Sequence, residues 1–233
     1  MVSKRSPLAR LRGKKYAEKK ALIQKKIYSV AEAAELLPKL STAKFDAAAE
    51  LHVRINADTT QADQLVRTTV NLPHGTGKTV RVAAFVTDDK IDEAKKAGAD
   101  IAGNEDLIRQ VTEGKIDFDI AVAMPRLMKD LGKVAKILGQ KGLMPSPKAG
   151  TVTDAVGKAI AELKKGRIEC RMDKQGIIHT IFGRMSFGGE KLKENLETVL
   201  QAIKEAQPQG IKGEYIATIN VSPTMGPSVR VQQ

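Results

Sequence analysis

The chain has no tryptophan, a single cysteine, and only three tyrosines and five phenylalanines among its 233 residues. So few aromatic rings argue against a single-strand nucleic-acid binder that stacks successive bases on aromatic platforms. One cysteine cannot close an internal disulfide, which removes the secreted disulfide frameworks and makes a reducing cytosol the default. Cys170, between Glu169 and Arg171, reads as a small buried strand residue rather than a nucleophile. No apolar run approaches the roughly 18 residues of a membrane span, so no membrane partner is expected. The three histidines, His52, His74 and His179, lie far apart, and there is no H-E-x-x-H, cysteine cluster or nucleophile elbow. No catalytic residue, metal or cofactor is expected, although a metal site or triad assembled from distant residues stays open.

One stretch does resemble enzyme machinery. Residues 72–79 read Leu-Pro-His-Gly-Thr-Gly-Lys-Thr and end like a phosphate-binding loop. The Walker pattern needs a glycine where Leu72 stands. It also needs a helix starting at the lysine, whose positive end holds the phosphate. Residues 80–86 are instead rich in β-branched valine and read as a strand. A dinucleotide fingerprint fails as well, with Val80 in place of its third glycine. The stretch therefore reads as a glycine-rich connection between strands, against the alternative of a nucleotide-binding α/β enzyme using this loop.

What the chain does have is positive charge: 39 Lys and Arg against 27 Asp and Glu, a net +12. Residues 1–26 hold ten of the basic residues (Lys4, Arg5, Arg10, Arg12, Lys14, Lys15, Lys19, Lys20, Lys25, Lys26) and one acid, Glu18, so they carry +9. Such an arm neutralises phosphates and releases their counterions, an attraction blind to sequence. Its plainer alternatives are a solvated tail or a transit peptide. The arm lacks a small-residue cleavage site and runs into a Lys-rich helical pattern, which favours polyanion binding. With few aromatics, recognition of RNA would rest on backbone, hydroxyl and shape contacts.

Periodicity divides the rest. Residues 28–37 place Ser29 as a helix cap, Glu32 three positions on, and apolar residues at helical spacing before Pro38. Residues 50–55 alternate as a half-covered strand, and 66–72 suggest another. Then come a strand over 80–86, helices over 89–97 and 104–113, a strand over 118–123 and a helix over 126–138. Residues 138–150 form the longest break, followed by a helix over 154–165. A hairpin is expected from 167–173 and 177–182 around Lys174-Gln175-Gly176, then a helix over 190–206 and strands at 214–221 and 229–231. The middle alternates as α/β and both ends read as α+β. An insertion satisfies this pattern: residues 1–74 and 167–233 form one split α+β domain, and 75–166 an inserted Rossmann-like α/β domain. Pro73, His74, Gly75, Thr76 and Gly77 would then be the outward crossing, with glycines giving a hinge its backbone freedom.

Several motifs occur in order: Thr42-Ala43-Lys44-Phe45-Asp46, Leu72-Pro73-His74-Gly75-Thr76-Gly77-Lys78, the run from Gly142 through Pro145-Ser146-Pro147-Lys148 to Val152, Gly176-Ile177-Ile178-His179, and Ser222-Pro223-Thr224-Met225-Gly226-Pro227. Together they closely resemble the ribosomal protein L one family, found in the bacterial large subunit on the mobile stalk beside the tRNA exit site. The resemblance implies a first domain split around a second and binding to the stalk of the large-subunit rRNA. It also implies help in releasing deacylated exit-site tRNA, and repression of the protein's own operon mRNA through a similar RNA shape. The free chain is expected to be a monomer that needs no cofactor and works on a cytoplasmic ribosome, with an organellar ribosome as the alternative.

Carried over residue by residue, the family's RNA contacts fall on Lys44, Phe45, Glu50, Asp173, Lys174, Gly176, His179, Ser222, Thr224, Met225 and Gly226. The chemistry suits them: Ser222 and Thr224 offer hydroxyls to a 2′-OH, Met225 an unbranched thioether, and Gly226 close backbone approach. From spacing alone, residues 222–227 read as a strand-connecting turn, Phe45 as core and His179 as a structural histidine; the resemblance reverses those readings. The sequence departs from the family pattern at Gln140, where Pro is usual, at Ser146, where Asn is common, over residues 56–60, and at Ala48, where Thr is frequent.

Overall fold

A computed structural model describes residues 13–233 except 25, 62, 209 and 212. Lys4, Arg5, Arg10, Arg12 and Lys25 of the basic arm lie outside the described residues. The helices are α1 (Lys14–Ala21), α2 (Val30–Leu40), α3 (Ile91–Lys96), α4 (Glu105–Thr112), α5 (Met128–Leu131), α6 (Ala135–Gln140), α7 (Val156–Lys165) and α8 (Gly188–Glu205). The strands are β1 (Ala48–Ile55), β2 (Arg67–Asn71), β3 (Val82–Phe85), β4 (Ile101–Gly103), β5 (Ile120–Ala123), β6 (Arg167–Arg171), β7 (Ile177–Arg184), β8 (Ile216–Pro223) and β9 (Val229–Val231). Two units result. One comprises the described residues up to Val66 with Leu72–Gly77 and Cys170–Gln233, the other Arg67–Asn71 with Lys78–Glu169. The first is α+β and built from both chain ends; the second is an inserted α/β unit.

In the α+β unit a four-stranded antiparallel sheet runs β7-β1-β8-β9. Strand β1 explains how the sheet is covered. Ala49, Leu51, Val53 and Ile55 are buried, while Ala48, Glu50, His52 and Arg54 point the other way. Burying each large apolar side chain stabilises the fold by roughly 1.5–3 kcal/mol. Helix α8 supplies the cover with Leu192, Leu196, Val199 and Ile203 at helical spacing, and α2 with Ala33, Ala34, Leu37 and Leu40. Ser29 caps α2 as expected, accepting from the Glu32 N–H at 3.3 Å while its own N–H donates to the Glu32 carboxylate at 3.1 Å. The helix does not stop at Pro38 but runs through it to Leu40. A proline this near the end removes one intrahelical bond, and the full burial of Leu40 outweighs that loss.

The α/β unit holds a parallel sheet ordered β4-β3-β5. Ala83 and Phe85 join one core with Leu107, Val111, Leu131 and Leu138, while Val82 and Ala84 join a second with Ala94, Ile160 and Leu163. The sheet is thus covered on both faces, as βαβ crossovers require. The helix expected over 126–138 is broken by a 3-10 turn at Gly132–Val134 into α5 and α6. A glycine inside a helix weakens it. Strand β4, absent from the sequence reading, is three residues long and ends in a glycine, too short to show a period.

The expected hairpin around residues 174–176 is also corrected. The turn is tight, but its arms share only the isolated bridge Met172 to Ile178. Beyond it β7 pairs with β1, and β6 pairs with β2 in a separate two-stranded sheet. Local sequence specifies the turn, whereas ladder partners are chosen by long-range burial. After Lys78 and Thr79 the chain enters β3 and not a helix, so the loop over 75–79 lacks the helix dipole of a nucleotide site.

Candidate nucleic-acid interface

The face of the antiparallel sheet away from the helices carries Glu50, His52 and Arg54 from β1, His179 and Ile181 from β7, and Thr218, Asn220 and Ser222 from β8. Cross-strand register brings Glu50 opposite Ile181 and Ser222, and His52 opposite His179 and Asn220. The β1–β7 ladder slips between Ala49 and Glu50, a local irregularity of the kind that re-aims side chains.

Residues 222–226 form one rim of this face. The Thr224 backbone N–H donates to the Ala48 carbonyl at 3.0 Å, and its hydroxyl donates to the Glu50 carboxylate at 2.8 Å. The Gly226 N–H closes a turn onto the Pro223 carbonyl at 2.8 Å. This places Met225 at the position of the turn that demands a left-handed backbone, and its φ is 64°. Glycine usually takes that position, and a side chain there stores about 1–3 kcal/mol of strain. Met225 is nonetheless 75% exposed, so burial does not repay the strain. A side chain on Gly226 would collide with the Pro223 ring and meet the Leu40 carbonyl at 3.1 Å. Its glycine thus serves close packing within the protein.

Phe45 is 58% exposed, which removes the core reading. Lys44 is exposed beside it. Asp46, which the sequence reading did not single out, anchors this segment by accepting from the Ser186 N–H at 3.0 Å and its hydroxyl at 2.8 Å. At the opposite end Asp173 ties the turn, accepting from the N–H groups of Gln175 at 2.8 Å and Ile177 at 2.9 Å. The Ile177 bond leads in holding the Asp173 carboxyl below its ordinary pKa. Gly176 adopts φ 76°, and a side chain there would press on the Ile55 carbonyl at 3.1 Å. Lys174 is exposed at the tip.

Between these ends lies a contact that sequence spacing does not reveal. The Nδ1 atoms of His52 and His179 are 2.8 Å apart. His52 Nε2 lies 3.4 Å from the Ser222 hydroxyl and 3.7 Å from Glu50, and His179 Nε2 lies 3.5 Å from Asp173. Burial, and then the neighbouring His179, push the His52 pKa below the ordinary histidine value. His74, the third histidine, is elsewhere, against Glu194 of α8.

The crossing residues Pro73–Gly77 are held by Asn195, a fully buried polar residue that the sequence reading passed over. Its Oδ1 accepts from the His74 N–H at 3.1 Å, and its Nδ2 donates to the carbonyls of Gly75 at 3.0 Å and Phe182 at 2.8 Å. Gly77 has φ 72°, and a side chain there would strike the Phe187 ring at 2.9 Å. Among the described residues no group of three or more His, Cys, Asp or Glu is placed to hold a metal ion, and no helix is long and apolar enough to cross a membrane.

An α+β unit made of both chain ends, interrupted by a Rossmann-like unit and showing a polar, hydrogen-bonded sheet face, sets the structural class. The chain belongs to the Ribosomal protein L1p/L10e family, which it matches over residues 37–227. It is similar to the large ribosomal subunit protein uL1 of Kosmotoga olearia, with 46% identity over 221 residues, 94% of this chain and 96% of that one.

Proposed function

We propose that the open face of the antiparallel sheet grips the folded stalk region of large-subunit rRNA, with Lys44, Phe45, Glu50, Asp173, Lys174, Gly176, His179, Ser222, Thr224, Met225 and Gly226 at the contact. Membership of a ribosomal protein family supports an RNA-binding structural role in the large subunit. The observation that carries the placement is Met225, held at a left-handed φ yet exposed, on a rim whose hydroxyl and carboxylate are already ordered. Strain kept without burial is typical of residues retained for contact. The split unit is the RNA-binding domain, the inserted unit is a second domain that moves on it, and Pro73, His74, Gly75, Thr76 and Gly77 are the hinge. In the same reading the protein helps deacylated tRNA leave the exit site and represses its own messenger by offering this face to a similar RNA fold.

One filter-binding titration of the purified chain against folded stalk RNA, single-stranded RNA and ATP tests the proposal. Tight binding of the folded RNA alone is expected. A chain that ignores folded RNA at moderate ionic strength, or turns over ATP, overturns it.

A further inference from the structure

We propose that the outer side of residues 126–148, in the α/β unit, is a second RNA-contacting surface that grips the phosphates of double-helical RNA without reading its sequence. This rests on the RNA-binding reading of the antiparallel sheet and adds to it a site on the other unit. The observation is where the charge lies. Residues 126–148 hold Arg126, Lys129, Lys133, Lys136, Lys141 and Lys148 against one acid, Asp130. The rest of the α/β unit holds twelve Lys and Arg against thirteen Asp and Glu, so this one segment carries all of the unit's positive excess. Pairing divides the unit in the same way. Among the described residues, seven of those twelve cations lie within ion-pair distance of a carboxylate, as Lys164 does with Asp100 and Arg167 with Glu162. Among the described cations of the segment only Lys133 has such a partner, Asp130 at 3.1 Å.

The fold sets these charges in a row. Leu127, Leu131, Val134 and Leu138 are buried in the core, while Arg126, Lys129, Lys133 and Lys136 are exposed, and both sets step by three and four residues. That spacing puts them on opposite sides of one helical path. Through the 3-10 turn at Gly132–Val134 the valine stays in and Lys133 stays out, so the row continues from α5 into α6. At about 1.5 Å per residue the four cations span roughly 15 Å, in steps of about 5 Å. The Leu143 N–H donates to the Leu138 carbonyl at 2.8 Å and Leu143 packs on the same core, which carries Lys141 on past the end of α6. Like charges three and four residues apart repel, so the row slightly destabilises the free protein, and a bound polyanion relieves it. Composition then selects the partner. Five of the six cations are lysines, point charges suited to phosphate rather than planar forks that read base edges. The segment has no Phe, Tyr or Trp, the platforms on which single-stranded bases stack. Among the described residues no large apolar side chain of the segment is exposed, and a helix lying on a membrane surface needs such an anchor.

The test is lysine-acetylation footprinting of the full chain, free and bound to a plain RNA duplex of arbitrary sequence, with Kd measured across a salt series. Lys129, Lys133, Lys136 and Lys141 should be protected in the complex, while Lys95, Lys96, Lys158 and Lys165, exposed elsewhere on the same unit, should stay reactive. The joint variant Arg126→Gln, Lys129→Gln, Lys136→Gln and Lys141→Gln keeps good helix formers in place. It should reduce the slope of log affinity against log salt by about three, since each lost phosphate contact removes close to one. Changing Lys95, Lys96, Lys158 and Lys165 to Gln removes equal charge and should alter the slope by less than about one. Equal protection of the two lysine sets, or equal slopes in the two variants, overturns this surface and leaves the row to an acidic protein. Equal protection of the row by single-stranded RNA of the same length overturns the duplex as its partner. A duplex that does not bind while folded stalk RNA does overturns this surface alone, and a wild-type chain that binds neither RNA overturns the sheet reading as well.

Discussion

The two sheets of this protein are covered differently. In the parallel sheet every residue of β3 is buried, with alternate side chains feeding two cores. In the antiparallel sheet β1 alternates, and among the described residues helices pack on one side only. Both faces of the first are occupied by the cores of its own unit. The second has a face that the described helices leave uncovered, and it carries Glu50, two histidines, Ile181 in the open, and a strained Met225 at the rim. The difference separates residues whose truncation should cost folding from those whose truncation should cost binding.

The largest expected effect lies in the parallel sheet. Phe85 is fully buried and meets Phe118 edge-on at 6.2 Å between ring centroids. Phe85→Ala should cost about 3–5 kcal/mol of stability in urea titration. Ile181→Ala, on the open face, should stay within about 0.5 kcal/mol of wild type. If the two cost the same, the open face is in fact a packed one and the contrast disappears.

Asn195 comes next, because it is a polar group placed where the open-face logic does not apply. Asn195→Ala removes one acceptor and two donor contacts at once, leaving the His74 N–H and the carbonyls of Gly75 and Phe182 short of partners. A loss of about 2–3 kcal/mol is expected. Proteolysis should also speed up within residues 73–77. Unchanged cleavage there would show that the crossing is held by something other than Asn195.

At Met225 the two costs should take opposite signs. Met225→Gly relieves the left-handed backbone and should raise stability by about 1 kcal/mol. The same change removes an exposed thioether, and if that side chain touches RNA, affinity should fall by about 1–3 kcal/mol. Met225→Ala keeps the strain and should lose affinity without gaining stability. Wild-type affinity in both variants would remove this rim from the contact surface.

What could be read from sequence, and what could not, follows the range of the interactions. The Ser29–Glu32 capping box and the alternation of β1 are local and legible. The passage of α2 through Pro38 depends on the burial of Leu40, and β4 on pairing with a strand 18 residues earlier, so neither has a local signature. The turn at residues 173–177 was visible in its Asp and Gly, but the partners of its two arms were not. His52 meets His179 only because of cross-strand register, 127 residues apart. Asn195 did leave a trace, since it stands on the apolar stripe of α8 between Leu192 and Val199, where a polar residue needs partners. The left-handed turn position was hidden because a methionine occupies it.

The smallest effect separates the units by what stabilises their carboxylates. Asp173 is held below the ordinary 3.8 chiefly by the backbone N–H of Ile177. Asp119, in the parallel-sheet unit, is held below it first by Lys78, whose ammonium donates at 2.8 Å, and then by the Arg81 N–H. For both, a folded-state pKa lower than the unfolded one means a contribution present above about pH 4 and lost as pH falls through the lowered value. Asp173→Asn and Asp119→Asn should each be less stable than wild type at pH 7, with the gap closing as pH falls below about 4. Salt should then tell them apart: roughly 1 M salt shrinks the Debye length to about 3 Å and should narrow the gap for Asp119→Asn, whose partner is an exposed ion. The gap for Asp173→Asn, which reports hydrogen bonds to backbone, should persist in the same denaturation series. Equal salt sensitivity would mean that neighbouring charge, and not the turn backbone, governs Asp173.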